Sequence, residues 1–204
     1  MGYTTILDIL GSIIIGGMLM LILFRLTDAA SENTYNYSQD LIVQENLTTV
    51  VEVLENDLRK LGYCKDWTKI PTPTQAILLA DSTSIKFLTD VNNTGNVDTL
   101  SYYLGPTSEL TSTPNPNDRL LYRVVDNETP RSANLGITQF SLLYFDSFGD
   151  TLTFPITSPG QIASIQISIK IEDPEPRLDV NGHLQYVDAF WRQVRLEARN
   201  LKNR

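Results

Sequence analysis

The chain has 204 residues with 16 Lys and Arg against 24 Asp and Glu, a net charge of −8, one cysteine and one histidine. An acidic balance argues against a nucleic-acid partner, because phosphate binding draws its affinity from clustered Lys and Arg that displace counterions, and the only basic cluster is the C-terminal "RQVRLEARNLKNR". A single thiol excludes an intrachain disulfide framework, and the length suits one globular domain plus an anchor.

The first feature along the chain is a run from Ile9 to Phe24 without a charged side chain, bounded by Asp8 and Arg25. A membrane span needs about 20 apolar residues. Adding Tyr3–Leu7 before the run and Leu26 after it reaches that length, with Asp8 near one interface, where a carboxylate costs much less than at the bilayer centre. A cleavable secretion signal would carry a basic flank ahead of the apolar run, and none is present, although "TDAAS" could pass for a cleavage site. A buried soluble helix would keep a polar face, whereas Ile13, Ile14, Ile15, Met18, Leu19, Met20 and Leu21 cover every side. Residues 1–26 therefore read as a transmembrane anchor in a lipid bilayer. Within it, Ser12 and Gly16 are four apart and Gly17 is adjacent, a small-residue face suited to close helix contact. Glycine is also simply common in membrane helices. Arg25 alone would favour a cytoplasmic C-terminal side under the positive-inside rule.

Residues 27–62 read as an amphipathic continuation of the same helix, since no proline intervenes. Leu47, Val51, Leu54, Leu58 and Leu61 recur at steps of four and three, the stripe of a helix packed on an apolar surface, here expected to be a sheet. Glu52, Glu55, Asp57, Arg59 and Lys60 are expected on the wet side, and Gly62 as the helix stop. The polar "SENTYNYSQD" lies between anchor and stripe. If it is helical, one helix of about 55 to 60 residues runs roughly 85 Å; if it frays, anchor and domain are hinged there.

From residue 63 to 204 the pattern changes to period two. "SIKFLTD" and "VDTLSYYL" flank the turn-rich "VNNTGN" and predict a hairpin. "RLLYRVVD" is a third strand, and "GITQFSLLYFD" with "TLTFPI" predicts a second hairpin across "SFGD". "IASIQISIKIED" places Ile165, Ile167, Ile169 and Ile171 on one core face. "RLDVNGH" reads as loop. The tail "YVDAFWRQVRLEARNLKNR" fits a strand or a helix, with the strand preferred. The resulting fold class is α+β: a long N-terminal helix packed on an antiparallel β-sheet.

Catalytic and metal-binding patterns are not evident. His183 sits in "DVNGHLQY" with no nucleophile motif such as G-x-S-x-G, and Cys64 with His183 falls short of a four-ligand zinc set. Asp90, Asn92, Gly95 and Asp98 partly echo a calcium loop, but Thr94 and Ser101 stand where ligands are needed, and turn preferences explain the same residues. No phosphate-binding glycine loop occurs. The expectation is a protein that is not an enzyme and takes no cofactor.

An uncharged N-terminal helix with an amphipathic second half, then "LENDLRKLGY", then hairpins including "GITQFSLLYFD" and a tail "VRLEARNL", is similar to type IV pilin-like proteins. It most resembles the larger minor pilins and minor pseudopilins of pilus and type II secretion assemblies. The resemblance in organisation covers nearly the whole chain. It implies a pilin-like fold, a cell-surface or periplasmic filament role, and a globular domain outside the cytoplasmic membrane, against the weak signal of Arg25. Implied partners are other pilin-like subunits, met through the N-terminal helix, and an inner-membrane assembly platform. Family pilins are trimmed by a prepilin peptidase after a glycine, and the exposed residue is methylated; Gly2 followed by Tyr3 fits. The family's glutamate at the fifth mature position does not, because that position is Leu7 and the acid, Asp8, comes sixth, behind a leader of only Met1 and Gly2. One residue of offset turns a helical side chain by about 100° and moves it 1.5 Å, so Asp8 is expected to pair with the N-terminal amine of a neighbouring subunit. The other expectation is a single-pass anchored surface or periplasmic binding domain without a filament role.

Overall fold

The computed structural model describes residues 2–70, 72–178 and 181–196. The chain divides into two compact units, Met1–Leu41 and Ile42–Arg204. The first is helical throughout its described residues, as the leading part of α1 (Gly2–Arg59). "SENTYNYSQD" lies inside that helix.

The second unit takes residues 42–59 of α1 and nine strands: β1 (Ile77–Ala80), β2 (Ser84–Thr89), β3 (Asp98–Leu104), β4 (Arg119–Val125), β5 (Arg131–Phe145), β6 (Ser164–Glu172), β7 (Arg177–Leu178), β8 (Leu184–Gln185) and β9 (Asp188–Leu196). Seven form one antiparallel sheet in the order β1-β2-β3-β4-β5-β6-β9, and β7 with β8 makes a small hairpin. The long β5 serves two neighbours. Its first half pairs with β4 as far as Ile137↔Arg119, and its second half pairs with β6 from Ile137↔Ile171 to Phe145↔Ser164. The sheet curls until the β1–β2 turn reaches β5, where Leu142 N–H donates to the Ser82 carbonyl (2.8 Å) and the Tyr144 hydroxyl to the Asp81 carbonyl (3.1 Å).

One core fills the curl. Val43, Val50, Leu54 and Leu58 of α1 and Leu61 of the following turn are buried with Ile85, Phe87, Leu100, Phe140, Leu142, Tyr144, Ile165, Ile167, Ile169 and Ile171. Burying side chains of this size contributes about 1.5 to 3 kcal/mol each, which is why the helix lies down on the sheet. Its end is a tightened turn: Lys60 and Leu61 donate three residues back, to Asp57 and Leu58 carbonyls. Gly62 then takes φ +71, the left-handed conformation that ends helices.

Several expectations need correction. Of the expected stripe, Leu54, Leu58 and Leu61 are buried and Leu47 and Val51 pack half-buried against the core, and the buried line also takes in Val50 and Asp57. Asp57 is thus not on the wet side. "TLTFPI" makes no strand, only a bridge from Thr151 to Phe145 and a hydrogen bond from Leu152 N–H to the Tyr144 carbonyl. Both edges of β5 are otherwise engaged there, by β6 and by Ser82, and Pro155 offers no N–H to extend a ladder. "RLDVNGH" is not all loop, since β7 lies at its start and β8 begins directly after His183. β1 and the first residues of β5, Arg131–Leu135, carry no alternation of apolar and polar residues to announce them, and β1 buries only its two end residues. In the ambiguous tail the strand is found, as β9; the tail beyond residue 196 lies outside the described residues.

Candidate functional site

The residues expected to anchor and assemble the chain all lie in the first unit. Tyr3 is 88 % exposed, and every large apolar side chain among Ile6, Leu7, Ile9, Leu10, Ile13–Ile15 and Met18–Phe24 is exposed. The helix is long and apolar enough to cross a membrane by length and composition. Ten Leu, Ile and Phe residues between Ile9 and Phe24 favour insertion by about 0.3 to 0.6 kcal/mol each, whereas one Asp at the bilayer centre costs about 3 kcal/mol. The apolar sum exceeds that cost, and Asp8 lies at the end of the run.

Polar groups within this segment are turned back onto the helix. Ser12 donates to the Asp8 carbonyl (2.7 Å), Thr27 to the Leu23 carbonyl (2.9 Å) and Thr34 to the Ala30 carbonyl (2.9 Å). A hydroxyl satisfied in this way can sit in hydrocarbon without an orphan donor. Gly16 and Gly17 have open space where a Cβ would stand, as does Gly11. Ser12 and Gly16, four residues apart on this helix, therefore present a low ridge on which another helix could approach closely. Gly2, Tyr3 and Asp8 stand at the exposed start of the same helix.

A second group, missed in the sequence, lies in the globular unit. Asp57 is 6 % exposed and accepts hydrogen bonds from the Tyr102 hydroxyl of β3 (2.5 Å) and Arg123 Nε of β4 (2.7 Å), while Arg123 Nε also reaches the tyrosine oxygen (3.1 Å). Burial works against the guanidinium charge, but the bonds to Asp57 and Tyr102 outweigh it and hold the Arg123 pKa above its ordinary value. Burial, with the Asp57 charge next to it, pushes the Tyr102 hydroxyl well up. The Asp57–Arg123 ion pair and the Tyr102 hydroxyl bonded to it tie the helix to two strands. The signal available in the sequence was the spacing, since Asp57 stands three residues after Leu54 and four before Leu61.

The loop between β2 and β3 uses its acids on its own backbone. Asp90 is fully buried and accepts from the N–H groups of Gly95 (2.8 Å), Thr94 (3.0 Å) and Lys65 (3.2 Å), and Asp98 accepts from Val91 N–H (2.9 Å). Burial alone would raise the Asp90 pKa; the N–H groups of Gly95, Lys65, Thr94 and Asn93 hold it below the usual carboxylate range. These bonds give both carboxylates the role of turn anchors. Among the described residues no three His, Cys, Asp or Glu side chains gather as a metal-holding group. Cys64 is buried and His183 is exposed in the β7–β8 turn.

No protein-family model, no curated protein and no solved structure matches this chain.

Proposed function

We propose that this protein is a membrane-anchored, non-enzymatic structural subunit of a type IV pilus-like or pseudopilus filament, of the minor-pilin or minor-pseudopilin kind. The observation that carries the reading is the division of labour along α1: bare apolar side chains on all faces from Ile6 to Phe24, then one buried face from Val43 to Leu58 against an antiparallel sheet. The bare segment is stored in the bilayer of the cytoplasmic membrane and later exchanges lipid for the helices of other subunits, closely over Ser12 and Gly16. The sheet unit stands outside the cytoplasm and supplies contacts to neighbouring subunits and the assembly platform. Asp8, an acid at the edge of the apolar run, is neutralised by the N-terminal amine of an adjacent subunit.

The test is the mass of the native N-terminus together with cysteine cross-linking. A chain beginning at a methylated Tyr3, with Ser12→Cys and Gly16→Cys variants forming homotypic or heterotypic cross-links in membranes, is the expected result. A mature chain starting near Ser31 would abolish the proposal. The second reading, a single-pass anchored binding domain without a filament role, is favoured by Leu7 at the fifth position after Gly2; it requires retained Met1 and no cross-links.

A further inference from the structure

We propose that the polar cleft over the β4–β5–β6 face binds a small monoanionic sugar acid, its carboxylate on Arg119 and its hydroxyls on the surrounding amides and hydroxyls. The cleft encloses about 240 Å³ and is lined by Thr107, Asn117, Arg119, Thr138, Gln139, Lys170 and Glu172. It is built by an irregularity in the ladder. Ile137 pairs with Ile171, but Gln139 pairs with Lys170, so Thr138 is the extra residue of a bulge, a device that re-aims side chains out of the regular alternation. The Thr138 hydroxyl oxygen is buried and has no hydrogen-bond partner among the described residues.

The choice of ligand follows from donors and acceptors. The one carboxylate in the cleft is spent: Glu172 accepts from Lys170 Nζ (2.7 Å) on Oε1 and from Asn115 Nδ2 (2.9 Å) on Oε2. Lys170 is also bound to Asp188 (3.0 Å), so its charge is balanced. Among the described residues, no hydrogen bond or ion pair engages the Arg119 guanidinium or the side-chain amides of Asn117 and Gln139. The cleft therefore offers a surplus of free donors, with the Arg119 guanidinium the one cation in it that no carboxylate contacts directly among the described residues. A guanidinium fork matches a carboxylate in bidentate fashion. A doubly charged phosphate would find only that single free cation, close to the buried acids Asp118, Glu172 and Asp173. The walls are almost wholly polar side chains, which suits a ligand hydroxylated around its whole edge rather than an apolar acid.

The proposal is independent of the filament reading. It is tested by titrating the full chain, in a detergent without a sugar headgroup, with D-glucuronate, D-glucose and acetate, following the Arg119 Nε–H resonance and the binding heat. Glucuronate is expected to saturate and to bind about tenfold more tightly than glucose, which lacks the charge, or acetate, which lacks the hydroxyls. Arg119→Gln should weaken glucuronate about tenfold, and Thr138→Val roughly threefold, with the circular dichroism spectrum retained. If the Arg119 variant does not fold, Gln139→Ala replaces it, with a loss of roughly threefold expected. Absence of saturable glucuronate binding, equal affinity for acetate, or folded variants that bind like the wild type would each overturn the assignment.

Discussion

Asp57 and Arg123, 66 residues apart in the chain, meet at 2.7 Å where the last turns of α1 cross β4, and the arginine side chain is only a quarter exposed. Removing one member of a buried ion pair strands the other charge, which costs about 3 to 5 kcal/mol when burial is complete. With Arg123 partly in water, Asp57→Asn is expected to destabilise the globular unit by about 2 to 3 kcal/mol. Guanidinium unfolding of the full chain measures it. A double-mutant cycle with Arg123→Gln should give a coupling of about 1 kcal/mol or more.

Leu58→Ala and Val51→Ala separate the fully buried from the half-buried members of the helix stripe. Leu58 is fully buried and Val51 only half so. The first substitution is expected to cost about 3 kcal/mol and the second about 1 kcal/mol. Equal losses would mean that the helix is rotated from the position described above.

Asp118 sets a pH dependence opposite to that of a paired carboxylate. It is 1 % exposed, and among the described residues no hydrogen bond of regular geometry reaches its carboxylate oxygens. Burial, reinforced by the nearby Glu172 and Asp173, holds its pKa above the usual 3.8, against a smaller opposing effect of the Thr113 hydroxyl. The folded state then keeps the proton more tightly than the unfolded chain. Its contribution to stability is full below the unfolded pKa and is lost as pH rises through the folded pKa. Asp118→Asn should remove this fall and make the protein more stable than the wild type at pH 7, as read from denaturation midpoints between pH 4 and 8. A variant less stable than the wild type at pH 7 would contradict the sign.

Gly136→Ala is expected to be among the most damaging small substitutions. Gly136 has φ +72, and an added Cβ would stand 2.3 Å from the Glu172 carbonyl oxygen of β6. The left-handed backbone costs an L-residue about 1 to 2 kcal/mol, and the collision with backbone forces the strands apart. A loss of about 3 kcal/mol or more, with weakened amide protection in β5 and β6 by hydrogen exchange, is the expected result.

The α+β fold class, the apolar segment with Asp8 and Arg25 at its ends, the Gly62 stop and the isoleucine ladder of β6 were all legible in the sequence, because each follows from local composition or a short repeat. Periodicity identified Leu54, Leu58 and Leu61 for the same reason. What it could not assign was Asp57, whose place on the buried line makes sense only with Tyr102 and Arg123 brought beside it by pairing of distant strands. The same holds for "TLTFPI", whose alternation was sound but which found the edges of β5 already engaged, and for the Arg119 cleft, created by one extra residue at Thr138. Hydrophobic pattern is a property of neighbours along the chain. Polar partnership, strand-edge availability and register depend on which remote segments pair at a given edge, and only the folded chain decides that.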